Sequence, residues 1–174
     1  MKLNQLKFFL DEKAELYNQP KFIGTDPIQI PRKFILKEDI EIAGFLIASI
    51  AWGNRKSIIN NGNKLLQIMG QSPHDFVMNY KAKYPKYNFV HRTFNSDDLH
   101  YFFQALKHIY TKHGGLEEVF MKNQKEKFLM PAIHNFKNLF FELPHLKRTE
   151  KHVSDPLKNS ARNRINMYLR WMIR

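Results

Sequence analysis

The stretch Glu38-Asp-Ile-Glu-Ile-Ala-Gly-Phe-Leu-Ile-Ala-Ser-Ile-Ala-Trp52 decides the fold. Wound as a helix it is apolar on nearly every side, because Ile40, Ile42, Ala43, Phe45, Leu46, Ile47, Ala48, Ile50 and Ala51 leave no polar stripe. A helix hydrophobic all round belongs in the middle of a bundle. The alternative, a membrane span, needs about 20 apolar residues. The run from Ile40 to Trp52 is shorter and already contains Glu41. Gly44, with Ala43, Ala48 and Ala51, lets neighbouring helices come close, and Gly53-Asn54 breaks the chain.

Working outward, every neighbouring segment is helical in pattern. Arg55 to Met69 carries Ile58, Ile59, Leu65, Leu66 and Met69 on one side, with Gly70 as the expected C-cap. Ser72-Pro73 opens a short helix bearing Phe76, Val77 and Tyr80. Ser96, followed by Asp97 and Asp98, opens the clearest amphipathic helix, with Leu99, Phe102, Phe103, Leu106 and Ile109 at three- and four-residue steps until Gly114-Gly115. Phe128 to Phe140 is a further helix in which Pro131 demands a kink or a later start. Ala161 to Arg174 is the last. Upstream, Leu3 to Tyr17 has helical periodicity, whereas Gly24, Asp26-Pro27 and Pro31 imply an extended arm over Pro20 to Pro31. The expectation is an all-α, compact multi-helix bundle forming a single helical domain over residues 1–174.

With no cysteine, the chain has no disulfide framework, cysteine nucleophile or thiolate metal site. No secretory signal opens it, since Phe8, Phe9 and Leu10 run straight into Asp11, Glu12 and Lys13. A cytoplasmic protein without a membrane partner is expected. Lysine and arginine number 28 against 16 acids, a net charge of +12. A field of that sign favours a polyanionic partner.

Catalytic patterns are missing. Neither a G-x-S-x-G elbow nor a phosphate-cradling glycine loop occurs, and the acidic pairs Asp97-Asp98 and Glu117-Glu118 fit helix starts. Eight histidines raise the question of a metal, but His108 and His113 are five apart, a poor spacing for one helix face, so surface histidines and no metal site are expected. No catalytic residue and no cofactor are assigned. More informative is the basic end of the chain, where Lys147, Arg148, Lys151, His152, Lys158, Arg162, Arg164, Arg170 and Arg174 meet only Glu150 and Asp155. Within it Lys158, Asn159, Ser160, Arg162, Asn163 and Arg164 form the candidate phosphate-contacting segment. Trp52, Asn54 and Arg55, at the end of the buried helix, form a candidate base pocket.

Two blocks carry a family resemblance. Asp39 to Arg55, with its D-x-E-I-A-G start and A-W-G-N end, resembles a block of the bacterial DUF2400 family, as does Asp155-Pro-Leu-Lys-Asn-Ser-Ala-Arg-Asn-Arg-Ile-Asn-Met-Tyr-Leu-Arg-Trp-Met-Ile-Arg174. That family in turn is similar to helix-hairpin-helix DNA glycosylases. The resemblance implies a degenerate hairpin turn at Pro156 to Ala161, with Arg162 to Arg174 as its second helix. It also implies that this is the front portion of a longer protein, lacking a D-T-H segment and its aspartate. Asn163 stands where the family has lysine, flanked by Arg162 and Arg164, and arginine cannot supply a Schiff-base amine at neutral pH. The expected function is nucleic-acid binding, DNA first, by a catalytically incomplete relative of base-excision glycosylases. The alternative is a basic helical module that binds RNA or an acidic protein. Oligomeric state is not legible.

Overall fold

The computed structural model describes residues 3–83, 85–122, 129–158 and 163–173. Its helices are α1 (Leu3–Tyr17), α2 (Pro20–Ile23), α3 (Lys37–Ser49), α4 (Arg55–Ile68), α5 (Pro73–Asn79), α6 (Ser96–Lys112), α7 (Leu116–Met121), α8 (Met130–Phe140) and α9 (Asn163–Met172). Among the described residues four short 3-10 turns accompany them: Pro27–Gln29, Pro31–Lys33, Lys147–His152 and Pro156–Lys158. No β-strand occurs among the described residues; the one extended pairing is an isolated bridge between His91 and Phe94.

Helix α3 is the axis, as its composition requires. Every residue from Asp39 to Ser49 is buried, and α9, α5, α4 and α7 all pack on it. Phe45 holds the centre. Its ring lies 5.2 to 5.8 Å from those of Phe102, Phe136, Phe140 and Tyr168, mostly edge-to-face, the favourable aromatic geometry. Gly44 permits the tightest approach: a Cβ there would stand 2.8 Å from Met172 Cε and 3.5 Å from Tyr168 Cε2. Gly44 therefore serves the approach of α9.

Local chemistry explains the boundaries. Helix α6 begins with a capping box in which Asn95 Oδ1 accepts from the Asp97 and Asp98 amides while Asp98 Oδ2 accepts from the Asn95 amide. Helix α8 starts late, at Met130, with Pro131 in its first turn, so no kink is needed. The expected extended arm is corrected: Pro20, Pro27 and Pro31 each open a short helical turn. Proline at the first helical position loses no hydrogen bond, so it starts turns as readily as it stops them. Helix α1 forms as its periodicity predicts, yet buries no residue, and Phe8 is 73% exposed. No described helix is long and apolar enough to cross a membrane.

Candidate nucleic-acid interface

Helix α9 brings the two predicted regions together. Across 112 positions of sequence, the Arg164 guanidinium carbon sits 4.8 Å from the ring centroid of Trp52. The same guanidinium donates to the carbonyls of Ser49 and Lys151, both at 3.0 Å. Arg164 therefore ties the end of α3 to the Lys147–His152 turn. Lys158 ends the Pro156–Lys158 turn, and Asn163 is the exposed first residue of α9. Asn159, Ser160 and Arg162, and with them most of the anticipated hairpin turn, lie outside the described residues.

Trp52 is half-buried, and its ring is engaged by more than Arg164. His152 lies nearly parallel at 6.0 Å and His91 meets it edge-on at 5.2 Å. Behind this group, the gap bounded by Ser49, His152, Arg164 and Tyr168 is about 10 Å³, the size of one water. A base cannot enter there. Asn54 caps α4, its Oδ1 accepting from the Ser57 amide at 3.1 Å. Gly53, at φ +98°, makes the preceding turn, and a Cβ there would meet the Arg92 guanidinium.

Arg55 points elsewhere, over the ring of Phe22 at 5.1 Å. Phe22 lines a cleft of about 610 Å³ between α2 and the far end of α9. Its other walls include Tyr17, Arg32, Arg170 and Trp171. Three aromatic rings and two arginines thus face one cavity, with a third arginine stacked on its wall. Asp26 is the one acid among its described lining residues; its carboxylate caps the turn that follows, accepting from the Ile28 amide at 3.0 Å. Among the described residues, no ion pair involves Arg32, Arg55, Arg92 or Arg170.

Other cations of the basic end are committed inward. Asp98 is fully buried, and its carboxylate receives Arg148 Nη1 at 2.9 Å and Thr149 Oγ1 at 2.7 Å. His152 Nε2 stands 3.2 Å from Asp98 Oδ2. Burial outweighs the attraction of that carboxylate and pushes His152 down to about 4, so it is neutral at pH 7. Lys147 pairs with Glu150 at 2.9 Å. The cluster read from the sequence as one grip is therefore divided: Arg148, Arg164 and His152 build the fold, while Lys151 and Arg170 remain exposed. The cleft residues Tyr17, Phe22, Arg32 and Trp171 escaped sequence reading. Only α9 offers a signal, since Met167, Arg170 and Trp171 recur at helical spacing on a side not needed by Ile165 and Tyr168.

Fold and surface together define an all-α domain built round one buried helix, with an arginine- and aromatic-lined cleft on its outer side. The chain belongs to the DUF2400 family of proteins of unknown function, whose model matches residues 26–174. Among curated proteins and solved structures, none matches it. The match begins after α2, so Tyr17 and Phe22 lie in a segment outside it.

Proposed function

We propose that this domain binds nucleic acid, DNA in the first instance, with the sugar–phosphate chain lying along α9 and unstacked bases entering the cleft between α2 and α9. The cleft itself is the support: Tyr17, Phe22 and Trp171 stand beside Arg32, Arg55 and Arg170, and among the described residues none of these arginines pairs with an acid. Aromatic faces stack on bases at about 1–3 kcal/mol each by alanine substitution, and unpaired arginines neutralise phosphates. The resemblance to helix-hairpin-helix glycosylases supports DNA over RNA and supports an extruded rather than a paired base. No residue is assigned to catalysis, because Asn163 stands at the family's lysine position; binding without turnover is the function proposed for this chain, in the cytoplasm.

Fluorescence anisotropy against duplex DNA, single-stranded DNA and RNA, each at several salt concentrations, tests it. Binding should weaken steeply with salt, and quenching of tryptophan emission should disappear in Trp171→Ala. A salt-independent response removes phosphate contact. Preference for RNA over both DNA forms transfers the site to the alternative of a basic RNA-binding module.

A further inference from the structure

We infer that His108, His113 and Glu142 form a binding site for a single divalent transition-metal ion of the zinc class. The inference is independent of the nucleic-acid reading. In the sequence His108 and His113 are spaced badly for one helix face. Helix α6 ends at Lys112, however, and His113 is its C-cap, leaving the helical path at φ −124° and ψ 4°. The two imidazoles consequently meet, their centroids 5.2 Å apart. Glu142, just beyond α8, reaches both: its Oε2 lies 2.7 Å from His108 Nε2 and 3.7 Å from His113 Nε2.

One ligand atom from each residue lies within 4.8 Å of the others. Tetrahedral zinc with bonds of about 2.0–2.1 Å to nitrogen and oxygen separates its ligands by about 3.3 Å. Small side-chain rotations reach that arrangement from the observed one. A second observation points the same way: His113 Nε2 is buried and makes no hydrogen bond to any described residue. Buried polar atoms normally find a partner, and an orphan costs about 1–3 kcal/mol. A cation between His113 and Glu142 supplies the missing partner. Glu142, whose side chain is 53% exposed, provides the open entrance, whereas the histidines are recessed. Lys122, which donates to the His113 carbonyl at 3.4 Å, lowers affinity without blocking a ligand atom.

Two imidazoles and a carboxylate select borderline ions such as Zn²⁺ over Mg²⁺ or Ca²⁺, and three protein ligands leave a fourth position to water. The ion would pin the end of α6 to the turn after α8.

The test uses the full chain, stripped with a chelator and dialysed. Co²⁺ titration should develop the visible d–d absorption of a four-coordinate site, saturating at one equivalent and bleached by Zn²⁺. Calorimetry with Zn²⁺ should give the same stoichiometry, and Mg²⁺ should give no heat. His113→Ala and His108→Ala should each weaken Zn²⁺ binding at least tenfold. Glu142→Gln, at an exposed position with its acceptor retained, should do the same without risk to folding. His74→Ala, outside the cluster, should change nothing. Absence of the Co²⁺ band, or Zn²⁺ affinity unaltered in Glu142→Gln and His113→Ala, overturns the assignment.

Discussion

Two sets of arginines in this chain look alike in sequence and behave oppositely in the fold. Arg148 and Arg164 turn inward, the first onto the buried carboxylate of Asp98 and the second onto Trp52 and two main-chain carbonyls. Arg32, Arg55 and Arg170 turn outward around the cleft between α2 and α9 and, among the described residues, pair with no acid. The difference lies in what the fold brings near each guanidinium. A buried carboxylate, or carbonyls at a helix end, give an inward guanidinium hydrogen-bond partners that offset part of its desolvation. Net charge counts both sets equally; only the second is open to a polyanion.

Arg148→Ala should have the largest effect. It leaves Asp98 fully buried with Thr149, His152 and the capping amide but no fixed cation, and should cost about 3 kcal/mol of unfolding free energy in urea. A loss below about 1 kcal/mol breaks the distinction between the sets. Next comes pH. His152 titrates lower in the folded state than its ordinary value, so its contribution is complete above about pH 6.5 and is lost as pH falls toward about 4, where the unfolded chain takes up the proton first. His91, also lowered by burial, acts in the same direction. Urea unfolding should show stability falling between pH 6.5 and 5, a range above ordinary carboxylate titration, and by about 2–3 kcal/mol in all. Flat stability there contradicts a neutral buried His152.

Arg164→Ala should cost about 2 kcal/mol through two carbonyl hydrogen bonds and the Trp52 contact, and should shift Trp52 emission to the red. Unchanged emission would mean that Arg164 does not cover the ring. The smallest effect belongs to an inward acid without a cation in contact. Glu41 is buried, accepts from the Tyr110 hydroxyl at 2.5 Å, and is raised by desolvation. Glu41→Gln keeps an acceptor and removes the buried charge, so melting at pH 7 should rise by a few degrees. A fall would show that the charge is better solvated than its burial indicates.

The sequence made some of this legible and hid the rest for physical reasons. Helix α3 was readable because a stretch apolar on every side has one soluble solution, and Gly44 announced the close approach that Tyr168 and Met172 make. The prolines of residues 20–31 misled, since the same ring stops a helix from within and starts one at its first position. The candidate site was half legible. Trp52 and Arg164 were each singled out, but their meeting depends on how α9 crosses the end of α3, which no local pattern encodes. His113 does not read as a neighbour of His108 in the sequence, because five-residue spacing is poor within a helix; only the chain's departure after Lys112 brings it back to His108.

If the outward arginines, and not the inward ones, contact phosphate, the salt dependence of binding follows them. The most direct measurement is the slope of log affinity against log salt for duplex and single-stranded DNA, in the native chain and in the triple variant Arg32→Ala, Arg55→Ala and Arg170→Ala. All three positions are exposed, so the variant should unfold within about 0.5 kcal/mol of the native chain. Its slope should be shallower by about 2–3, close to 0.9 for each lost duplex contact and 0.7 for each single-strand contact. An identical slope in the two proteins contradicts the account.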